Sequence, residues 1–132
     1  MRMWMVDPKI MCTRHLLGEH HEIHMFAGSM RRQTGMSGYI DNNLLEPRSI
    51  KKRHDVLVAE MARRGYGHDS ELEQPDVSYL PIDEQRAKID ISAAEKEIRR
   101  RCELCPTEDE TFKDCPKCWK YKEGVYHGNC PT

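Results

Sequence analysis

The chain has 132 residues, a formal net charge of −1, 33% charged and 38% hydrophobic residues, which suits one compact domain in water. No stretch approaches the roughly 18 apolar residues that a membrane span needs, and the opening residues run into Asp7, Pro8 and Lys9 too early for a secretory signal. A cytoplasmic location with no membrane partner is expected.

In chain order, Leu16, Leu17, Ile23, Ala27 and Met30 recur at helical spacing and predict a first helix from Thr13, the N-cap, to about Met30. Residues 31 to 43 carry Gly35, Gly38, Asn42 and Asn43 without a sustained period and read as a loop. Pro47 opens a second helix with a stripe of Ile50, Leu57, Val58 and Met61, and Gly65 is placed to stop it in a left-handed conformation. Residues 67 to 81, with Gly67, Pro75 and Pro81, read as an irregular connection. Ser92 and Glu95 have capping-box spacing and predict a third helix running into Cys102. The fold class expected is therefore mainly α: a compact single domain of about three main helices with irregular loops and a small C-terminal zinc-knuckle-like extension. Residues 1–101 form the helical part and residues 102–132 a Cys-rich tail.

That tail is too poor in large apolar residues to fold without a crosslink or a metal. Cys102, Cys105, Cys115 and Cys118 form C-x2-C-x9-C-x2-C, and two such pairs supply four thiolates for a tetrahedron. Structural zinc is expected ahead of an iron-sulfur cluster or free thiols. Cys12 and Cys130 stand apart, Cys12 as a buried residue and Cys130 as a spare thiol. Trp119, Lys120 and Tyr121 beside the second pair suit stacking on bases and phosphate neutralisation, or ordinary packing.

Charge is unevenly spread. Residues 31 to 64 hold eight Lys/Arg against four Asp/Glu, residues 69 to 110 six against thirteen, and residues 113 to 132 four against two. A polyanion would meet a basic middle and a basic tail, although solvated helix faces are the more ordinary account of such charges.

The first helix is dense in titratable groups. His15, Glu19, Glu22 and Phe26 fall on one face, and His20 and His24 lie four apart on another. The histidine pair has the spacing that zinc hydrolases use, but His21-Glu22-Ile23-His24 is one residue short of the HExxH pattern. Glu22 suits either holding a nearby cation and shuttling protons or facing solvent. The residues alone do not choose.

The run His15-Leu16-Leu17-Gly18-Glu19-His20-His21-Glu22-Ile23, followed by Gly38-Tyr39-Ile40, Ile50-Lys51-Lys52-Arg53-His54 and Leu57-Val58-Ala59-Glu60-Met61-Ala62-Arg63-Arg64-Gly65-Tyr66, resembles the pyrimidine-dimer DNA glycosylases of the phage endonuclease V type. Fainter similarity continues at Asp90-Ile91-Ser92 and Trp119-Lys120-Tyr121. The resemblance implies a DNA repair glycosylase with abasic-site lyase activity, in which a free N-terminal α-amine attacks C1′ of the damaged nucleotide, a Schiff base forms and a glutamate on the first long helix assists. Carried over by position, the amine is that of Met1, the glutamate is Glu22 and the neighbouring basic residue is Arg2. Arg2 is too large to favour removal of the initiator Met, so Met1 itself is expected to carry the amine. Such an amine, with a pKa of about 7.7 to 8.0, keeps a neutral fraction near pH 7 that an unperturbed lysine lacks.

The implied partner is double-stranded damaged DNA, bound by a monomer, with no metal needed for the chemistry. Where the family commonly places phosphate-facing arginines, this chain has His21 and Met25, so His15, His21, Arg31, Arg32, Lys51, Lys52 and Arg53 are the candidate DNA contacts, with Trp119, Lys120 and Tyr121 in the tail. The lesion is a pyrimidine dimer or another altered base. The alternatives are a non-catalytic zinc-containing DNA-binding module and, behind it, a metal-dependent hydrolase using His20 and His24.

Overall fold

A computed structural model describes residues 1–67, 71–102 and 105 of the chain. Among the described residues five α-helices follow one another: α1 (Thr13–Arg31), α2 (Ser37–Asp41), α3 (Ile50–Arg63), α4 (Ile82–Gln85) and α5 (Ile91–Arg101). No strand occurs among the described residues, so the mainly helical expectation stands. Of the expected tail, only Cys102 and Cys105 are described; Cys115, Cys118, Trp119, Lys120, Tyr121 and Cys130 lie outside the described residues.

The two long helices, α1 and α3, pack together and supply most of the core: Leu16, Ile23, Phe26, Ala27 and Met30 from one, Ile50, Leu57 and Met61 from the other. Ala94 and Ile98 bring α5 onto the same core. The segment ahead of α1 is as buried as the helices, with Met3, Trp4, Val6 and Met11 all inside. The Met3 amide donates to Leu44 O at 2.7 Å, and Arg64 donates to Pro8 O and Met11 O at 2.9 and 2.8 Å. Met5 turns this segment with a positive φ of 60°, a conformation that costs a non-glycine residue about 1–2 kcal/mol. Packing of Met3, Trp4 and Val6 on either side of it holds the turn.

Helix ends follow the sequence with local shifts. Gly65 adopts φ +88°, and the amides of Gly65 and Tyr66 return to Ala62 O and Met61 O, the paired bonds of a Schellman stop. Cys12 rather than Thr13 caps α1, and it makes no side-chain cap bond; the Thr13 hydroxyl pairs instead with the Tyr66 hydroxyl at 3.2 Å. Asp90 rather than Ser92 caps α5, accepting from the Ala93 amide at 3.1 Å. Residues read as loop between α1 and α3 contain the short α2, whose Tyr39 ring meets Phe26 edge-on at 5.0 Å. That aromatic contact offsets the weak helix propensity around Gly38.

Candidate functional site

The buried opening segment delivers the first residue to the middle of α1. The Met1 α-amino nitrogen lies 4.0 Å from Glu22 Oε1, and the Arg2 backbone amide donates to Glu22 Oε2 at 3.3 Å. Both partners are only partly covered, with side chains 17% and 31% exposed, so neither is sealed from a ligand. They stand at a cleft of about 370 Å³ lined by Met1, Arg2, Trp4, Arg14, His15, Gly18, Glu22, Leu44 and Arg101. Arg14, Gly18 and Glu22 succeed one another at steps of four, so one ridge of α1 forms a wall. A Cβ at Gly18 would meet nothing within 4 Å, so the missing side chain leaves open space there.

Three arginines, Arg2, Arg14 and Arg101, face one carboxylate in this lining. The Arg2 guanidinium lies 3.7 Å above the Trp4 ring, and Arg101 lies 5.7 Å from the same ring. Burial lowers the Arg2 pKa from its usual value, and Arg101 adds to this by like-charge repulsion, against the pull of Glu97, Glu19 and Glu22. The Arg2 Nε is buried and makes no hydrogen bond among the described residues. A cationic cleft with donor capacity in hand favours an anionic ligand such as a phosphate.

Behind the cleft, His15 joins three cysteines. Cys12 Sγ lies 3.3 Å from His15 Nδ1 and 3.9 Å from Cys102 Sγ, and Cys105 Sγ lies 3.6 Å from His15 Nδ1. The four donor atoms are all within 4.8 Å of one another, and the three thiols are buried. The expected ligands Cys102 and Cys105 therefore do sit in a cluster able to hold a metal, and their described neighbours are Cys12 and His15. Burial opposes protonation of His15, but hydrogen bonding to Cys102 and Cys12 raises its pKa to about 9.

A second cluster contains the histidine pair. His20 and His24 of α1 meet His54 of α3, with ring centroids 4.8, 5.1 and 4.9 Å apart and ligand atoms within 4.8 Å. Asp55 Oδ1 is 3.0 Å from His54 Nδ1, and that bond, followed by Lys51, holds the Asp55 carboxyl below its usual range. Glu22 contacts the chain start, not this cluster. The group of three histidines was half legible in the sequence; His54 joins only through the packing of α3 on α1.

Against known proteins, a family model described as pyrimidine dimer DNA glycosylase matches residues 1–74, more than half of the chain. The chain belongs to that family. The matched span contains Met1, Arg2, Trp4, Arg14, His15, Gly18, Glu22 and Leu44, all the cleft residues except Arg101. No individual curated protein and no solved structure matches the chain.

For a pyrimidine dimer DNA glycosylase family member, DNA is the substrate class and DNA repair the role, and no described helix is long and apolar enough to cross a membrane. The expected DNA contacts divide. His21, Arg31, Arg32, Lys51 and Lys52 are exposed, although Arg31 reaches Glu73 O and the Lys51 ammonium pairs with Asp55 at 3.0 Å. Lys51 also borders a cavity of about 560 Å³ that includes Asp55, Glu71 and Glu73, an acidic setting for a phosphate contact. Arg53 corrects the expectation: it is 4% exposed, its Nε and NH2 donate to the Glu19 carboxylate at 2.6 and 2.9 Å, and a second NH2 contact goes to Met11 Sδ. A guanidinium so engaged inside the core is not offered to a phosphate. His15 lines the cleft but turns Nδ1 to the cysteines.

Sequence reasoning missed Trp4, Arg14 and Arg101 as cleft residues and Cys12 as a member of the thiol cluster. Two signals were available: Arg14 stands two helical turns before Glu22, and Cys12-x2-His15 is itself a metal-ligand spacing.

Proposed function

We propose that the protein is a bifunctional DNA glycosylase and abasic-site lyase that acts as a monomer on duplex DNA carrying a pyrimidine dimer or another base lesion. The observation that carries this reading is the Met1 α-amine 4.0 Å from Glu22 at the wall of an arginine-lined cleft. In its neutral form the amine adds its lone pair to C1′, and the C1′–base bond breaks with its electrons leaving on the base. Glu22 takes the proton released from the nitrogen and passes it to the ring oxygen O4′ as the C1′–O4′ bond breaks, which leaves a C1′–N Schiff base and a free Glu22 carboxylate. Removal of a C2′ proton, with Glu22 as the base, expels the 3′ phosphate and cuts the strand.

Reaching C1′ requires a displaced nucleotide, which costs a few kcal/mol of stacking that a damaged pair reduces. Arg2, Arg14 and Arg101 surround the place where the backbone phosphates must pass, with His21, Arg31, Arg32, Lys51 and Lys52 as outer contacts and Trp119, Lys120 and Tyr121 contributing from the tail. Zinc in this reading is a structural element of the Cys-rich end, and the chemistry runs through Met1 and Glu22.

Borohydride added during reaction with abasic-site DNA is expected to trap a covalent adduct, and peptide mapping is expected to place the link on Met1. Binding without a trapped adduct would favour the zinc-containing DNA-binding module instead.

A further inference from the structure

We infer that Cys12, His15, Cys102 and Cys105 bind one zinc ion in a closed tetrahedral site that staples the end of α5 to the start of α1, behind the wall of the amine cleft. The first support is metric. Zn–S and Zn–N bonds of about 2.3 and 2.0 Å at tetrahedral angles place thiolates about 3.8 Å apart and thiolate and imidazole donors about 3.5 Å apart. The corresponding separations are 3.9 Å for Cys12–Cys102 and 3.3 and 3.6 Å from His15 Nδ1 to Cys12 and Cys105. A sulfur pair 3.9 Å apart is far beyond the roughly 2.05 Å of a disulfide.

The second support is chemical. Cys12, Cys102 and Cys105 are 1%, 2% and 3% exposed, and the Cys12 amide donates to Cys105 Sγ at 2.9 Å, a donor aimed at a sulfur that would carry negative charge. Soft thiolates with one imidazole select zinc over hard cations such as magnesium or calcium. Four protein ligands fill the tetrahedron, which leaves no position for a reacting water and makes the ion structural.

The third support is placement. The two ligand pairs lie at the N-terminus of α1 and at the C-terminal end of α5, and Cys12 and Cys102 are 90 residues apart in sequence. The His15 ring stands edge-on to Trp4 at 5.8 Å, and Trp4 carries Arg2 on its face. Arg101, adjacent to the ligand Cys102, lines the same cleft. The ion thus fixes the side of the cleft that α5 contributes.

Metal binding is independent of the glycosylase reading: a protein that holds zinc here but forms no borohydride adduct would overturn that reading alone. Elemental analysis of the full chain is expected to give at least one zinc per molecule, and cobalt substitution the intense visible absorption of a tetrahedral thiolate site. Cys12→Ser is expected to weaken zinc binding by at least about 100-fold, the upper end of what loss of a mere outer-shell partner costs, whereas the Cys115→Ser/Cys118→Ser double variant keeps the cobalt spectrum. His15→Cys preserves four ligands and is expected to retain zinc with an altered cobalt spectrum, which tests the site if Cys12→Ser fails to fold. Zinc-free wild-type protein, full affinity in Cys12→Ser, loss of the cobalt spectrum in the double variant, or an unchanged spectrum in His15→Cys would each overturn the assignment.

Discussion

Glu19 and Glu22 stand one turn apart on α1 and meet opposite environments. Glu19 is 1% exposed and receives both a side and an end donor of the Arg53 guanidinium, so its charge is satisfied inside the core. Glu22 is partly open, holds one backbone amide at 3.3 Å and stands 4.0 Å from an amine. A tight, dry pair fixes geometry, whereas a loose pair at a cleft keeps its lone pairs available for proton transfer. The same side chain therefore serves the fold at one position and, in the proposed mechanism, the chemistry at the next turn.

The sharpest way to break this comparison is to remove each carboxylate in turn. Glu22→Gln is expected to lower strand cleavage of abasic-site DNA about 10²–10⁴-fold, the span typical of a lost general acid-base group, with unfolding free energy within about 0.5 kcal/mol of wild type. Cleavage at the wild-type rate would remove Glu22 from the mechanism. Glu19→Ala should do the reverse, leaving Arg53 charged in the core and costing about 3–5 kcal/mol in urea denaturation, with the adduct yield per folded molecule retained.

A smaller effect is expected at the cleft wall. Gly18→Leu adds a side chain into open space, so it should raise stability by up to about 1 kcal/mol through helix propensity while weakening DNA binding and adduct formation about tenfold. Unchanged activity would mean that the substrate does not enter beside Gly18. The smallest effect concerns acid. Burial works to raise the Glu60 pKa, but hydrogen bonds from Arg63 and Arg64 outweigh it and hold the carboxyl below its usual value. Its contribution is fully present above the unfolded-state carboxylate pKa and is lost as pH falls through the lower folded value. Glu60→Gln should therefore flatten the acid limb of the stability profile.

The contrast between the two glutamates also shows what the chain made legible. Period and punctuation placed α1 and α3 and the left-handed stop at Gly65, because those features are local. The choice of Glu22 over Glu19 was not periodic, since both lie on the face that carries His15 and Phe26; it came from resemblance to the glycosylases. Arg53 read as a surface cation because its partner is thirty-four residues away and only the packing of α3 on α1 brings them together. Cys12 read as solitary for the same reason, its sulfur neighbour being Cys102. The short α2 was hidden by Gly35, Gly38 and paired asparagines, and it forms where Tyr39 finds Phe26.

Two residues separate the amide of Met3, anchored on Leu44, from the first atom of the chain, and Met1 is itself part of the cleft wall. Any peptide fused ahead of Met1 must leave beside this cleft, and a formyl or acetyl cap turns the amine proposed as nucleophile into an amide. In the proposed mechanism purification tags therefore belong at the far end of the protein, and chemical acetylation of the α-amine is expected to abolish the borohydride adduct.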